Sequence, residues 1–173
     1  MNKLQSITKT RALTDLAVLI ALQLILSRLT IGPSFLKIGF SFVIIALIGY
    51  YFGPARSMLV GIVTDILGNI LFPPQGGFFW GFTLSAALLG WLYGQFLYER
   101  PIRWWRLLAV TVVALLVVNL GCNTLWVSFL TKISFKTLFW MRLWKELLFI
   151  PIQTGVLIGV FHWLKKHHYT FEE

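Results

Sequence analysis

The sequence predicts an all-α integral membrane protein with six transmembrane helices and both termini in the cytoplasm. Three observations predict it. Of the 173 residues, 58% are apolar and 12% charged, with a mean hydropathy of +0.80; a soluble domain carries about 25% charge. The apolar residues fall into six runs, most of them near the roughly 20 residues a helix needs to cross a bilayer. Lys and Arg are unequally shared between the two sets of loops. Such a chain has too little polar surface to cover itself in water. This excludes a soluble globular enzyme and a disordered tail. The net charge of +9 forms no basic stripe on a polar scaffold, so a nucleic-acid reader is excluded as well.

The first helix covers about 12–29. The segment before it is polar and carries Lys3 and Lys9, and no small-residue cleavage signal follows the apolar run. It reads as a membrane span, not a removable signal peptide. Gly32-Pro33 separates it from a second helix at 38–52, which Gly53-Pro54 ends. The third helix, 55–72, stops at Pro73-Pro74-Gln75-Gly76-Gly77. The fourth, 78–98, is followed by Pro101, and the fifth and sixth occupy 107–130 and 139–164. Strand-like alternation is almost absent, and a membrane barrel would need it. One six-helix domain over 1–173 is expected. Cys122 is the single cysteine, so the chain has no intrachain disulfide and no CxxC pair; it reads as a small apolar filler.

An even number of spans puts both termini on one side. That side, with the second and fourth loops, holds Lys3, Lys9, Arg11, Arg56, Arg100, Arg103, Arg106, Lys165 and Lys166. The opposite side holds Arg28, Lys37, Lys132 and Lys136. The richer side is cytoplasmic. Trp104, Trp105 and Trp163 then fall at the inner interface, with Trp80 and Trp140 near the outer one.

Ionisable groups inside a membrane are costly and mark function by default. Arg28 and Lys37 border the first outer loop. Asp65 and Asn69 lie in the middle and outer part of the third helix, and Thr83 and Ser85 in the outer third of the fourth. Asn119, Asn123 and Trp126 share one face of the fifth, and Arg142, Lys145 and Glu146 one face of the sixth. All but Asp15 converge on the outer half, which implies a pocket open to the outside. Four positive and two negative groups near it favour an anionic ligand. Phe35, Phe40, Phe78, Phe79, Trp80, Trp126 and Trp140 offer flat surfaces, and the amides, hydroxyls and carboxylates can read the edge of a heterocycle. A flat heteroaromatic carrying carboxylates satisfies all three features.

Plainer readings stand beside each residue. Asp65 can pair with a cation on a neighbouring helix, and Arg142 with Glu146 one turn on. Asn123 can serve as an interhelical bond. Lys132 and Lys136 can be solvated loop residues. Ala17 and Ala21 flatten one face of the first helix, and Gly61, Gly68, Gly90 and Gly94 do so elsewhere, either for internal packing or for docking to a larger membrane partner. No GxxxxGK[ST] loop is present, so the chain cannot use ATP itself. There is no HExxH and no paired acidic motif; no metal site and no cofactor is expected. His162, His167 and His168 lie away from the polar cluster, which leaves Ser85 without a base for proteolysis. A binding subunit that borrows its energy fits better than an enzyme.

The run Gly81-Phe82-Thr83-Leu84-Ser85-Ala86-Ala87-Leu88, with Gly90 and Tyr93-Gly94, resembles a signature of the folate-specific substrate-binding (S) components of energy-coupling factor (ECF) transporters. So do Leu36-Lys37-Ile38-Gly39-Phe40, Phe52-Gly53-Pro54, Asp65-Ile66-Leu67-Gly68, Asn123-Thr124-Leu125-Trp126, Arg142 with Lys145-Glu146, and Pro151-Ile152-Gln153. Gly39 stands where that family usually has Ser. The resemblance implies a vitamin bound near the outer surface, under the first, third and fifth loops. It implies a bacterial cell membrane, a transmembrane coupling subunit docked through Ala17-xxx-Ala21, and two cytoplasmic ATPases. It further implies toppling in the membrane to deliver folate inward. Within it, Asn123, Asp65 or Glu146 would read the pterin, with Phe79 and Trp126 stacking. Arg28, Lys37, Arg142 and Lys145 would hold the glutamate tail, and Trp80, Thr83 and Ser85 complete the expected ligand-binding set. Three rival readings remain: an S component for riboflavin, thiamine or biotin, an enzyme acting on an anionic headgroup through Glu146 and Lys145, and a structural membrane subunit.

Overall fold

Apolar runs broken by Gly and Pro fold into long helices joined by short turns. The computed structural model describes residues 3–28, 30–31, 38–73 and 77–166, with side chains over 13–27, 39–73 and 77–166. Helix α1 spans Lys3–Arg28. Strands β1 (Thr30–Ile31) and β2 (Ile38–Gly39) pair antiparallel, Thr30 opposite Gly39 and Ile31 opposite Ile38. Helix α2 runs Ser41–Leu71, α3 Trp80–Leu97, α4 Trp104–Val113, α5 Thr124–Thr131 and α6 Phe135–Lys166. Between α4 and α5 lies a π-helical segment, Ala114–Asn123, so that one helix continues over Trp104–Thr131.

The expected second helix therefore begins three residues late. Ile38 and Gly39 belong to the ladder, where β-branched Thr30, Ile31 and Ile38 suit extended backbone. The expected second and third helices are continuous across a kink at Gly53 (φ 82°, ψ 176°), followed at once by Pro54. Only glycine takes that φ without strain, and proline's fixed φ suits the first turn of the helix that follows. The kink is a reversal. Before it, the contacts advance along α3: a Cβ on Gly49 would meet Gly94 N at 2.7 Å, and one on Gly53 would meet the Tyr98 ring at 3.3 Å. After it they run backwards, with Ser57 against Gly90, Gly61 against Ala86 and Asp65 bonded to Thr83. Gly61, Gly90 and Gly94 thus serve internal packing, where missing Cβ atoms let backbones touch.

Among the described residues, three helices reach the length and apolarity needed to cross a bilayer: Trp104–Thr131, Phe135–Lys166 and Ser41–Leu71, the last counted through its reversal at Gly53. In α1 the apolar stretch is shorter, Leu13–Ser27. The fourth expected helix starts at Trp80, because Phe79 is extended (φ −134°, ψ 118°). The core gathers around the first half of α2, whose residues Ile44 to Gly49 are all buried. Tyr93, Leu97, Leu107, Val110, Leu157 and Phe161 close around it. The apolar core runs from Phe52 beside the reversal to Phe42 at the start of α2, where it meets a cavity.

Candidate functional site

A cavity of about 200 Å³ lies where the start of α2, α3, the π segment and α6 meet. Gly39, Phe42, Leu89, Tyr93, Ala114, Leu115 and Phe149 form apolar walls; Ser41, Asn119, Lys145, Glu146 and Gln153 bring polar groups to it. On α6, Arg142, Lys145, Glu146, Phe149 and Gln153 recur at intervals of three and four, so they share one face. Glu146 is only 2% exposed. Its Oε1 pairs with Lys145 Nζ at 3.0 Å. Neighbours in sequence do not usually face each other on a helix; here the flexible lysine stem brings the ammonium round to the carboxylate. A buried charge needs such a partner.

The π segment explains how the opposite wall is shaped. Widened helical turns are rare and concentrate at functional sites. Asn119 stands in this one, and Asn123 Nδ2 donates to its Oδ1 at 3.1 Å. The Asn123 Oδ1 atom is buried without a hydrogen-bond partner. An unsatisfied acceptor costs about 1–3 kcal/mol, which a bound donor would recover. Thr124 donates to the Asn119 carbonyl, and Arg142 Nη1 donates to the Thr124 hydroxyl, each at 3.2 Å. Asn123 and Arg142 are thereby connected to the cavity wall.

A second group lies beside it. Trp126 Nε1 donates to Ser85 Oγ at 3.0 Å, linking α5 to α3. Phe79 packs on Trp126 with centroids 5.7 Å apart and on Phe82 at 6.0 Å. Gly81 makes this possible, since a Cβ there would meet the Phe79 ring and come 2.6 Å from Trp126 Cδ2. Ser85 is one turn before Leu89 and shares its face of α3.

Asp65 and Thr83 face elsewhere. Thr83 Oγ1 donates to Asp65 Oδ2 at 2.7 Å, and Asn69 Nδ2 donates to the same atom at 3.2 Å and to the Asp65 carbonyl at 2.8 Å. Both lie on the seam between α2 and α3, outside the cavity lining. Among the described residues, a hydroxyl and an amide donate to this carboxylate. Trp80 is 70% exposed and lies edge-on to Phe78. Lys37 and the Arg28 side chain lie outside the described residues. Ala17 and Ala21 are on the open face of α1 with Leu13, Val18, Leu22 and Ile25, while Leu19 and Gln23 turn inward. Sequence reasoning omitted Ser41, Tyr93 and Gln153 from the site. Gln153 carried a signal, being two turns beyond Glu146 on the same face.

Comparison with known proteins agrees with this architecture. The family described as "ECF transporter, substrate-specific component" matches residues 11–161. The folate transporter FolT of Clostridium novyi is 37% identical over 152 residues, 87% of this chain and 88% of that protein. FolT of Leuconostoc mesenteroides is 35% identical over 153 residues, covering 85% and 82% respectively. A crystal structure of FolT bound with folic acid superposes with a TM-score of 0.82 at 34% identity, over 87% of this chain and 92% of that one. These relatives are transporters, not enzymes. With the fold and almost the whole length matched, the chain belongs to the family of substrate-specific components of ECF transporters.

Proposed function

We propose that this chain is a membrane-embedded folate-binding subunit of an ECF-type importer. The observation that carries the reading is the cavity, lined by apolar walls and by buried Glu146, in a chain whose relatives are folate transporters. A pterin is flat and presents amino and ring N–H donors beside a carbonyl acceptor. A carboxylate takes the donors, and Asn119 and Gln153 amides can give and accept. At about 200 Å³ the cavity is smaller than the ~300–1,000 Å³ typical of drug-sized ligands, so it houses the ring and not the whole molecule. The benzoyl-glutamate tail then points to the mouth, towards Arg142 one turn above Lys145. Phe79 and Trp126 supply a stacking platform, and Asn123 an open acceptor. Arg28 and Lys37 are assigned to the tail from sequence. Asp65 and Thr83 are assigned to holding α2 against α3.

The reversal at Gly53 supports six spans in one domain, with the two halves of α2 crossing separately. Trp80 opens α3 and Trp140 lies early in α6, while Trp104 and Trp105 open α4 and Trp163 lies near the end of α6; all are at least half exposed, which suits interfacial belts. The Lys and Arg excess puts the second end, with both termini, in the cytoplasm of a bacterial cell. The open α1 face around Ala17 and Ala21 supports docking to a transmembrane coupling subunit, whose two ATPases would drive delivery. A thermal-shift panel on the purified protein tests the ligand. At a free concentration a hundredfold above Kd, folate should stabilise the protein by about 2.7 kcal/mol. Stabilisation by riboflavin, thiamine or biotin, with none by folate, would assign the site to another vitamin.

A further inference from the structure

Thr124, the residue that caps the π segment and opens α5, has a side chain that serves two elements at once. It is fully buried. Its backbone N–H bonds to the Gly121 carbonyl, three residues back. Its hydroxyl instead reaches the Asn119 carbonyl, five residues back, at 3.2 Å. The side chain thus supplies the long-range donor just where the backbone changes register. The same oxygen accepts from Arg142 Nη1 at 3.2 Å. A hydroxyl has one donor and two acceptor sites, so the bonds coexist.

We propose that Thr124 is a positioning residue for ligand binding: its hydroxyl ties the Arg142 guanidinium to the π segment and aims it over the cavity mouth before the ligand arrives. The inference rests on the folate reading, in which Arg142 meets the glutamate tail. A guanidinium recognises a carboxylate as a planar fork, so its orientation decides whether two bonds form or one. An arginine left to rotate must be ordered during binding, and holding it in advance removes that loss. Thr124 also anchors the widened turn that presents Asn119 to the cavity. One side chain therefore links the two walls that α6 and the π segment contribute.

The test compares folate with pteroate, which is folate without its glutamate, by equilibrium binding to the full chain in detergent. Arg142→Gln comes first: it should weaken folate and spare pteroate. If it changes neither, Arg142 does not read the tail, and the reading and the inference fall together. Thr124→Val keeps shape and removes the hydroxyl. It should weaken folate about tenfold while pteroate stays within about twofold, since one oriented charged contact is at stake. Thr124→Ser should restore folate binding, and Thr124→Val should add nothing in the Arg142→Gln background. A sensitive Arg142→Gln with an unaffected Thr124→Val overturns the inference alone. Equal losses for both ligands, or a serine variant as weak as the valine one, overturn it as well. Should the valine variant not stay folded in detergent, Thr124→Cys gives the same comparison with the same two outcomes.

Discussion

Replacing Glu146 by glutamine removes the charge from a deeply buried carboxylate in the cavity lining and keeps its shape. Two effects must be separated. The Lys145 ammonium, 3.0 Å away and 17% exposed, loses its counter-charge. Breaking a buried pair destabilises by about 3–5 kcal/mol; partial exposure and the flexible lysine stem reduce that here. The ligand loses its charged acceptor. A hydrogen bond to a charged group contributes about 1.5–3 kcal/mol, so folate affinity should fall roughly 10- to 150-fold. Isothermal titration in detergent gives the affinity, and thermal unfolding of the same sample gives the stability. Lys145→Met with Glu146→Gln removes the cation together with its counter-charge and should recover stability without recovering binding. Folate affinity within about twofold of the parent for Glu146→Gln, well inside the loss expected for a charged acceptor, would refute the assignment of Glu146 to the ring.

Three further predictions test other parts of the account. Ala17→Trp should abolish folate uptake by cells carrying the coupling module while leaving binding to the purified protein intact, because the bulk falls on the open α1 face; loss of binding would place Ala17 in the ligand site. Thr83→Val leaves the Asp65 carboxylate short of its 2.7 Å donor, lowering stability by about 1–3 kcal/mol in thermal unfolding. Folate affinity should hold, and a loss matching that of Glu146→Gln would return Asp65 to the ligand. Gly81→Ala pushes a methyl into Phe79 and Trp126; overpacking of this kind costs about 1–3 kcal/mol, and it should shift Trp126 fluorescence and weaken folate binding together.

Much of the bundle was legible because its punctuation is chemical. Gly53-Pro54 announced a break, and the chain does reverse there, though with no loop: a single glycine at positive φ turns the backbone and the proline restarts it. The Pro73 to Gly77 stretch likewise separates α2 from α3. The ladder at Thr30–Ile31 and Ile38–Gly39 was not legible, since two residues per strand are too short for alternation to register. Nor was the π segment. Ala-Leu-Leu-Val-Val-Asn would suit an ordinary helix equally well, and the Thr124 hydroxyl bond to the Asn119 carbonyl is apparent only in the folded chain.

For the site, the sequence gives depth along each helix but not the direction in which a side chain faces. Glu146, Lys145 and Asn119 reach the cavity; Asp65 and Thr83, at comparable depth, turn to the seam between α2 and α3. Thr83 and Ser85 are two residues apart on one helix and so point to different neighbours. Only contacts between elements decide which of them meets the ligand. Tyr93 and Gln153 stood in the sequence only as parts of the family resemblance; their place in the cavity lining depends on how α2, α3, the π segment and α6 meet.

The most direct measurement is mass spectrometry of the small molecules that co-purify with the full chain in mild detergent, followed by binding of radiolabelled folate to the stripped protein. The account predicts folate or a reduced folate in the extract, and saturable binding by this chain without its partners. A lipid alone in the extract, with no saturable folate binding, would contradict it.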